Sequence, residues 1–169
     1  MPIKIDILRA AAQRTKTFGP HTLTEARMKG AKTAFLCHSH RDAELAKGLV
    51  HLLAEAGWSV YIDWEDSSMP EQPNQETAAK IQQKIKELNY FLFLATANSM
   101  SSRWCPWEIG YADGQKPNSQ LLIVPTTDGS NSHGNEYLQL YRRVDLSNQG
   151  SVEVWQPGQS YTSVPIRSL

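Results

Sequence analysis

Short apolar runs alternate with longer, more polar segments through the middle of the chain. Each apolar run is long enough for one buried strand, and leucine or isoleucine recurs at helical spacing in the first two segments between them. The apolar runs are residues 33–40, 58–63, 90–96 and 120–127, and the helical segments are 41–57, 76–89 and 101–114. This order of elements predicts an α/β fold, an open parallel sheet of about five strands with helices on both faces.

The N-terminal segment carries a different pattern. Its first 16 residues predict a short amphipathic helix whose apolar stripe packs on the sheet or on a second copy of the chain. The stripe consists of Ile3, Ile7, Leu8 and Ala11. Residues 17–31 contain glycine and proline and predict a linker with a helical turn.

Beyond residue 128 the patterns are weaker. Residues 136–141 predict a short helix, and either 142–146 (RRVDL) or 152–157 (VEVWQP) supplies a fifth strand. The tail at 158–169 shows no clear period. The predicted division is an N-terminal helical extension and linker at 1–31, a main domain at 32–150 and a C-terminal extension at 151–169.

Composition narrows the classes of partner and the compartment. The 169 residues suffice for one domain with a substantial core, and 17 basic residues balance 17 acidic ones. A neutral chain gives no electrostatic reason to expect a nucleic acid or an anionic membrane as partner. The N-terminus lacks the continuous apolar core of a secretory signal, and Cys37 and Cys105 lie far apart without metal-binding spacing. A reducing cytoplasmic location is therefore expected.

Unusual side chains follow the predicted strands. In open parallel sheets, ligands bind at the carboxyl ends of the strands. This rule predicts a common binding site for residues 37–41, 63–65, 96–99 and 104–108. Glu108 is expected to face the loops that carry Ser39, Arg41 and Trp64. The expected pocket has aromatic walls and one carboxylate.

Three ordered motifs in the chain resemble the Toll/interleukin-1 receptor (TIR) domain family, especially its bacterial members. Residues 35–42 (FLCHSHRD) are similar to the end of the family's first strand, with Cys37 where serine is usual. Gly57, Val60, Tyr61 and Asp63 match the second strand. The family's Ser-x-Trp-Cys-x-x-Glu motif matches Ser102, Trp104, Cys105 and Glu108. The resemblance covers roughly residues 32–127, within the domain predicted at 32–150.

The resemblance implies a flavodoxin-like fold and an enzyme that cleaves NAD+ at the nicotinamide–ribose bond. It places the catalytic glutamate at Glu108 and implies no metal and no cofactor, with NAD+ as substrate. The implied substrate-binding residues are Trp104, Phe35, Cys37, His38, Ser39, Arg41, Asp63, Trp64 and Ser99. It also implies homo-oligomers formed through TIR–TIR contacts, in which the polar loop at 64–75 takes part. Stand-alone bacterial members of Thoeris antiphage systems make an ADP-ribose-derived signal that a separate effector reads.

The chemistry is reasonable for the residue types present. Cleavage of the bond to nicotinamide generates an oxocarbenium-like ribose, which a nearby carboxylate stabilises. An indole stacks on a planar ring and excludes water. Nicotinamide leaves as a neutral base, so a second carboxylate is not needed as a general acid.

Other interpretations remain open from the sequence alone. Glu108 is also well placed as a favourable charge near a helix N-terminus, and Asp42 as a helix cap. Arg41 either is a solvated charge or meets the pyrophosphate. A non-catalytic TIR–TIR interaction module (an adaptor or virulence protein) and a nucleoside deoxyribosyltransferase-like enzyme are the alternative functions.

Overall fold

The computed structural model describes residues 2–14, 23–28, 30–70 and 74–169. Residues 17–22 of the predicted linker lie outside the described residues, as do residues 71–73 of the loop at 64–75, including Pro73. Within the described ranges, no helix has the length and hydropathy needed to cross a bilayer.

The described residues form nine strands and six α-helices. The strands are β1 (Ile3–Lys4), β2 (Lys32–Cys37), β3 (Trp58–Tyr61), β4 (Tyr90–Ala95), β5 (Leu121–Asp128), β6 (Asn131–His133), β7 (Arg142–Leu146), β8 (Val152–Trp155) and β9 (Ser163–Pro165). The helices are α1 (Ile5–Ala12), α2 (Leu23–Met28), α3 (Ala43–Glu55), α4 (Gln75–Glu87), α5 (Ala97–Met100) and α6 (Cys105–Gln115).

Five parallel strands form the centre of the sheet, in the order β3-β2-β4-β5-β7. The predicted α/β class and parallel sheet are confirmed, and RRVDL is the segment that supplies the fifth parallel strand. The prediction of about five strands is too low for the whole sheet. Antiparallel β8 and β9 extend it beyond β7, and β1 and β6 both pair with β5.

Alternate residues of the central strands pack against helices on opposite faces of the sheet. Leu36 and Leu92 belong to the core that contains Leu49 of α3. Phe35 and Phe93 face the other core, which includes side chains of α4 and α6. Because both faces are covered, the central strands are apolar throughout, as expected of a parallel sheet.

The N-terminal segment packs on the sheet domain, but the predicted apolar stripe is wrong at two positions. Ile3 lies in β1, which pairs in parallel with β5, and Ile7 is 38% exposed. The buried residues of α1 are Ile5, Leu8 and Ala11. Ile3 lies before the helix, which begins only at Ile5. The buried face of the helix is formed by positions 5, 8 and 11, and Ile7 lies outside it.

Gly48 of α3 allows the backbone of α1 to approach closely. A Cβ at Gly48 would lie 1.9 Å from the Leu8 carbonyl oxygen, a backbone atom that a side-chain rotation cannot move away. We expect Gly48→Ala to lower the free energy of unfolding by about 1–3 kcal/mol, through displacement of α1. Denaturant unfolding measures this loss.

Gly110→Ala is the matched control for this substitution. Gly110 lies within α6, and a Cβ there would meet nothing within 4 Å. Alanine should therefore raise the stability by about 0.5–1 kcal/mol through its better helix propensity. Equal effects of the two substitutions would contradict the close α1–α3 contact.

Candidate active site

Glu108 lies in the first turns of α6. The helix begins at Cys105, with Pro106 in its first turn, where the missing N–H of proline is tolerated. The Ser102 hydroxyl accepts hydrogen bonds from the backbone N–H groups of Trp104 (3.1 Å) and Cys105 (3.3 Å), which fixes the start of the helix. The Glu108 N–H donates to the Trp104 carbonyl at 2.9 Å, so the two predicted site residues lie one helical turn apart.

The Glu108 side chain is withdrawn from solvent, and the residue is only 6% exposed. Burial raises the pKa of Glu108 to about 8, the Cys37 thiol opposes this by hydrogen bonding, and electrostatic interaction with Cys105 and Asp63 adds to it. A helix N-terminus favours the ionised carboxylate and so lowers its pKa, but burial has the larger effect on Glu108. At neutral pH the carboxyl group is therefore mostly protonated in the free protein, and a cation placed beside it would favour the ionised form.

Cys37, the last residue of β2, contacts Cys105 and Glu108. Its Sγ donates to the Cys105 carbonyl oxygen at 4.0 Å, and burial raises the pKa of its thiol well above the ordinary value. A neutral, buried thiol is a packing group and a weak donor rather than a nucleophile.

His38 follows Cys37, and its side chain points towards the residues that follow β3. Its Nδ1 lies 2.9 Å from the Leu36 carbonyl oxygen, and its Nε2 lies 3.8 Å from Oδ1 of Asp63. The imidazole meets the Trp64 ring edge to face, with 4.4 Å between centroids. Burial lowers the pKa of His38, so the ring is neutral at pH 7. The structure thus brings together His38, Asp63 and Trp64, as the carboxyl-end rule predicted.

The loop after β2 also carries Ser39 and Arg41. The Ser39 hydroxyl accepts from the Arg41 N–H at 3.4 Å and caps a short 3₁₀ turn at His40–Asp42. Arg41 is exposed. Both residues lie in the same loop as His38. Their roles as substrate contacts stay predictions.

Phe35 and Ser99 lie in the core rather than at a surface. Phe35 is 1% exposed and stacks between Tyr61 and Phe91, with centroids 5.8 Å from each. Ser99 is fully buried, and its side chain accepts from the Thr96 N–H at 2.8 Å in a capping box at α5. The structure therefore gives both residues a packing or capping role, and substrate contact by either stays a prediction.

Asp42 forms a network that the sequence did not predict. Its side chain makes no capping bond to α3, contrary to the expected helix cap. The carboxylate instead accepts from the Thr96 hydroxyl at 2.5 Å and the Asn98 amide at 2.7 Å. Asp42 thus ties the loop after β2 to the corner after β4.

An aromatic row leads from the buried motif to the surface of α6. Trp104 meets Trp107 edge to face at 5.4 Å, and Trp107 stacks on Tyr111 at 6.1 Å. Trp104 is half-buried, whereas Trp107 is 36% exposed. Trp104 is therefore placed to act as a wall beside Glu108 as well as a packing residue.

The potential sites elsewhere in the described residues lack these side chains. A cleft of about 450 Å³ contains none of the predicted site residues, and it is lined by Leu52, Glu55, Ala56, Gly57, Gly150, Ser151, Val152, Ile166 and Arg167. Among the described residues, no group of three or more His, Cys, Asp or Glu side chains is arranged to hold a metal ion. The arrangement around Glu108 therefore remains the best candidate for an active site.

A comparison with known protein families identifies the domain. A family model described as a TIR domain matches residues 34–156. The chain belongs to the TIR domain family. The match overlaps most of the TIR domain predicted at 32–150, and the boundaries of the three predicted segments stay predictions.

Two curated proteins are similar to this TIR domain chain. A Bacillus cereus (strain MSX-D12) protein named "Probable 3' cyclic ADP-D-ribose synthase ThsB'" is 35% identical over 127 residues, covering 72% of this chain and 66% of the relative. A Cytobacillus dafuensis protein named "Putative cyclic ADP-D-ribose synthase TIR2" is 26% identical over 81 residues, covering 46% of this chain and 21% of the relative. The aligned region thus spans just under two thirds of the first relative and about a fifth of the second.

Proposed function

We propose that this TIR protein cleaves NAD+ at the nicotinamide–ribose bond and converts the remainder to a cyclic ADP-ribose that acts as a signal in Thoeris-type antiphage defence. The observation that carries this proposal is the buried Glu108, one helical turn from Trp104, at the strand ends of a TIR fold. The names of the two curated relatives support the choice of product class.

The environment of Glu108 suits this reaction. NAD+ brings a cationic pyridinium ring, and its positive charge moves onto the ribose as the glycosidic bond breaks. Next to that charge Glu108 gives up its proton, and the resulting carboxylate stabilises the developing oxocarbenium ion. The low dielectric of a buried site strengthens this interaction relative to water.

Cyclisation requires an internal nucleophile to reach the ribose before water does. Breaking the C1–N bond releases neutral nicotinamide, and a hydroxyl of the adenosine half forms the new C1–O bond and loses a proton. Trp104, half-buried beside Glu108, supplies an apolar wall that excludes water from this step. The site thus needs neither a metal nor a cofactor, and NAD+ is its substrate.

Incubation of the purified chain with NAD+ tests the proposed function. A cyclic product has the mass of ADP-ribose less one water, whereas hydrolysis gives ADP-ribose itself. An interaction module without catalysis leaves NAD+ intact under every condition. Membership of the TIR family removes the reason for the deoxyribosyltransferase alternative, which depended on fold-level similarity.

An aromatic pair on α6, the exposed Trp107 and the half-buried Tyr111, supports an assembled active form. Trp107 and Tyr111 stack at the surface, next to the wall residue Trp104. We propose that the chain works in the cytoplasm as a homo-oligomer built through TIR–TIR contacts, with a separate effector that reads the product. The loop at 64–70 borders the same site through Trp64, whose ring meets that of His38.

We expect NAD+ cleavage per molecule to rise with protein concentration, because the assembled form is the active one. Trp107→Ser should move this rise to higher concentrations, since it removes an exposed aromatic contact. Tyr161→Ser is the control, because Tyr161 is an exposed aromatic of the C-terminal segment (98% exposed) and should leave the curve in place. Strict proportionality between rate and concentration over a wide dilution series would contradict assembly.

A further inference from the structure

The pair formed by His38 and Asp63 carries an unused hydrogen-bonding site. The Leu36 carbonyl can only accept a hydrogen bond, so the 2.9 Å contact places the proton of the neutral ring on Nδ1 of His38. Nε2 is then a bare acceptor. The side chain is 2% exposed, and Nε2 has no hydrogen-bond partner among the described residues. A buried acceptor left without a donor is costly, which indicates that a donor belongs there.

The Asp63 carboxylate is a second acceptor facing the same point. Its Oδ1 lies 3.8 Å from Nε2 of His38, a distance too long for a hydrogen bond between the two atoms. Oδ1 also accepts from the Trp64 N–H at 2.9 Å, which leaves lone pairs free. Nε2 of the exposed His40 is 3.8 Å from Oδ2, on the solvent side of the carboxylate.

Two acceptors at this spacing select the chemistry of their ligand. Two O–H groups on adjacent carbons can each donate to one acceptor, at the usual length of about 2.7–2.8 Å. A phosphate offers only acceptor oxygens and negative charge, so it would be repelled by Asp63 and would leave Nε2 unsatisfied. The pair therefore favours a vicinal diol over a phosphate.

The pair lies at the same end of the sheet as Glu108. Asp63 is close enough for its charge to contribute to the raised pKa of Glu108. Trp64, which follows Asp63, covers one side of the His38 ring. His38 also follows Cys37, whose Sγ donates to the Cys105 carbonyl oxygen, so the two acceptors and Glu108 lie around the end of β2.

We propose that Nε2 of His38 and the carboxylate of Asp63 bind the vicinal diol of one ribose of NAD+, so that these two residues determine a preference for a ribose with both hydroxyls free. This proposal rests on the proposed function. The diol belongs either to the adenosine ribose or to the nicotinamide ribose. If it is the adenosine diol, NADP+ is a poor ligand, because its 2′-phosphate replaces a donor with an anion.

Equilibrium binding to the full chain carrying Glu108→Gln tests the proposal, because this background should cleave the dinucleotide about 10²–10³ times more slowly than the wild-type chain. The probes are NAD+, NADP+ and two NAD+ analogues, one lacking both the 2′- and the 3′-hydroxyl of the adenosine ribose and one lacking both of these hydroxyls of the nicotinamide ribose. His38→Phe removes the acceptor and keeps a flat ring. It should weaken NAD+ binding about 10-fold or more.

The analogue that lacks the recognised diol provides the decisive comparison. It should bind weakly to the parent, and His38→Phe should weaken it much less than it weakens NAD+, because the two changes remove the same contact. Asp63→Asn should show the same non-additivity. His51→Phe is the matched control, since His51 also bonds a backbone carbonyl through Nδ1 (Ala11, 3.0 Å) but lies on the α1–α3 side of the sheet. It should leave all four affinities unchanged.

The results separate this proposal from the proposed function. Equal losses for NAD+ and both analogues on His38→Phe would overturn diol recognition and leave only a packing role for His38, as would an unchanged NAD+ affinity. NAD+ turnover by the wild-type chain, measured in parallel, shows whether the proposed function itself holds. A chain that neither binds nor cleaves any dinucleotide would overturn both.

Discussion

Replacement of Glu108 by glutamine should leave a folded protein that cleaves NAD+ about 10²–10³ times more slowly. Glutamine keeps the volume of the side chain but cannot become the carboxylate that stabilises a ribose cation. Glu108 is buried and its neutral form dominates in the free protein at pH 7, so the neutral glutamine resembles the state that the fold already accommodates. Initial rates of nicotinamide release, with melting curves for both proteins, measure the effect.

Glu44→Gln is the matched control for Glu108→Gln. Glu44 occupies the first turn of α3, as Glu108 occupies the first turns of α6, but it is exposed and far from the motif around Trp104. Its loss should cost the helix-terminus effect of about 0.3–1 kcal/mol in stability, with a small addition from its exposed contacts to Gln13 and Arg9, and no activity. A Glu108→Gln protein that consumes NAD+ at nearly the wild-type rate would refute the catalytic role. An unfolded one would assign Glu108 a structural role instead.

The fold class was predictable because the local pattern and the tertiary environment agree. β4 is apolar from end to end, and it is buried on both faces in the centre of the sheet. A run of this kind indicates a parallel strand without any knowledge of its neighbours. The predicted class, the parallel sheet and helices on both faces are therefore confirmed.

The edges of the sheet were not predictable in the same way. β9 has three residues that include a proline and an exposed valine, so it carries no local strand signal, and it exists because β8 offers it a partner. Ile3 is a strand residue because Thr126 of β5 pairs with it, a contact between distant parts of the chain. Periodicity in a single segment contains no information about such pairing.

The candidate site was partly predictable. Ligands bind at the carboxyl ends of parallel strands, and this rule, together with the family motifs, predicted that His38, Asp63, Trp64 and Glu108 lie at one end of the sheet. The protonation of Glu108 and the unpaired Nε2 of His38 could not be foreseen, because both depend on burial by surrounding side chains. The same holds for Asp42, whose carboxylate binds the corner after β4 instead of capping α3.

The stability of the wild-type protein, compared with Glu108→Gln, should fall by about 3 kcal/mol between pH 5 and pH 8. Burial raises the pKa of Glu108 from 4.5 to about 8 on folding, so the folded state binds more protons than the unfolded state between these values. Stability from the protonated group is complete below pH 4.5 and is lost as the pH rises towards 8.

The comparison with Glu108→Gln isolates this effect from the other titrating groups. Burial lowers the pKa of His38, which gives the opposite slope: the unfolded state binds the proton more readily, so stability rises with pH up to the ordinary histidine range. Both proteins contain His38, so its contribution largely cancels in the difference. Urea unfolding at several pH values should give two curves that coincide below about pH 4.5 and diverge steadily as the pH rises to 8, with the glutamine variant more stable. Parallel curves would mean that Glu108 is already ionised in the folded protein, and the activity of the site would then not depend on a proton released when the cationic ring of NAD+ arrives.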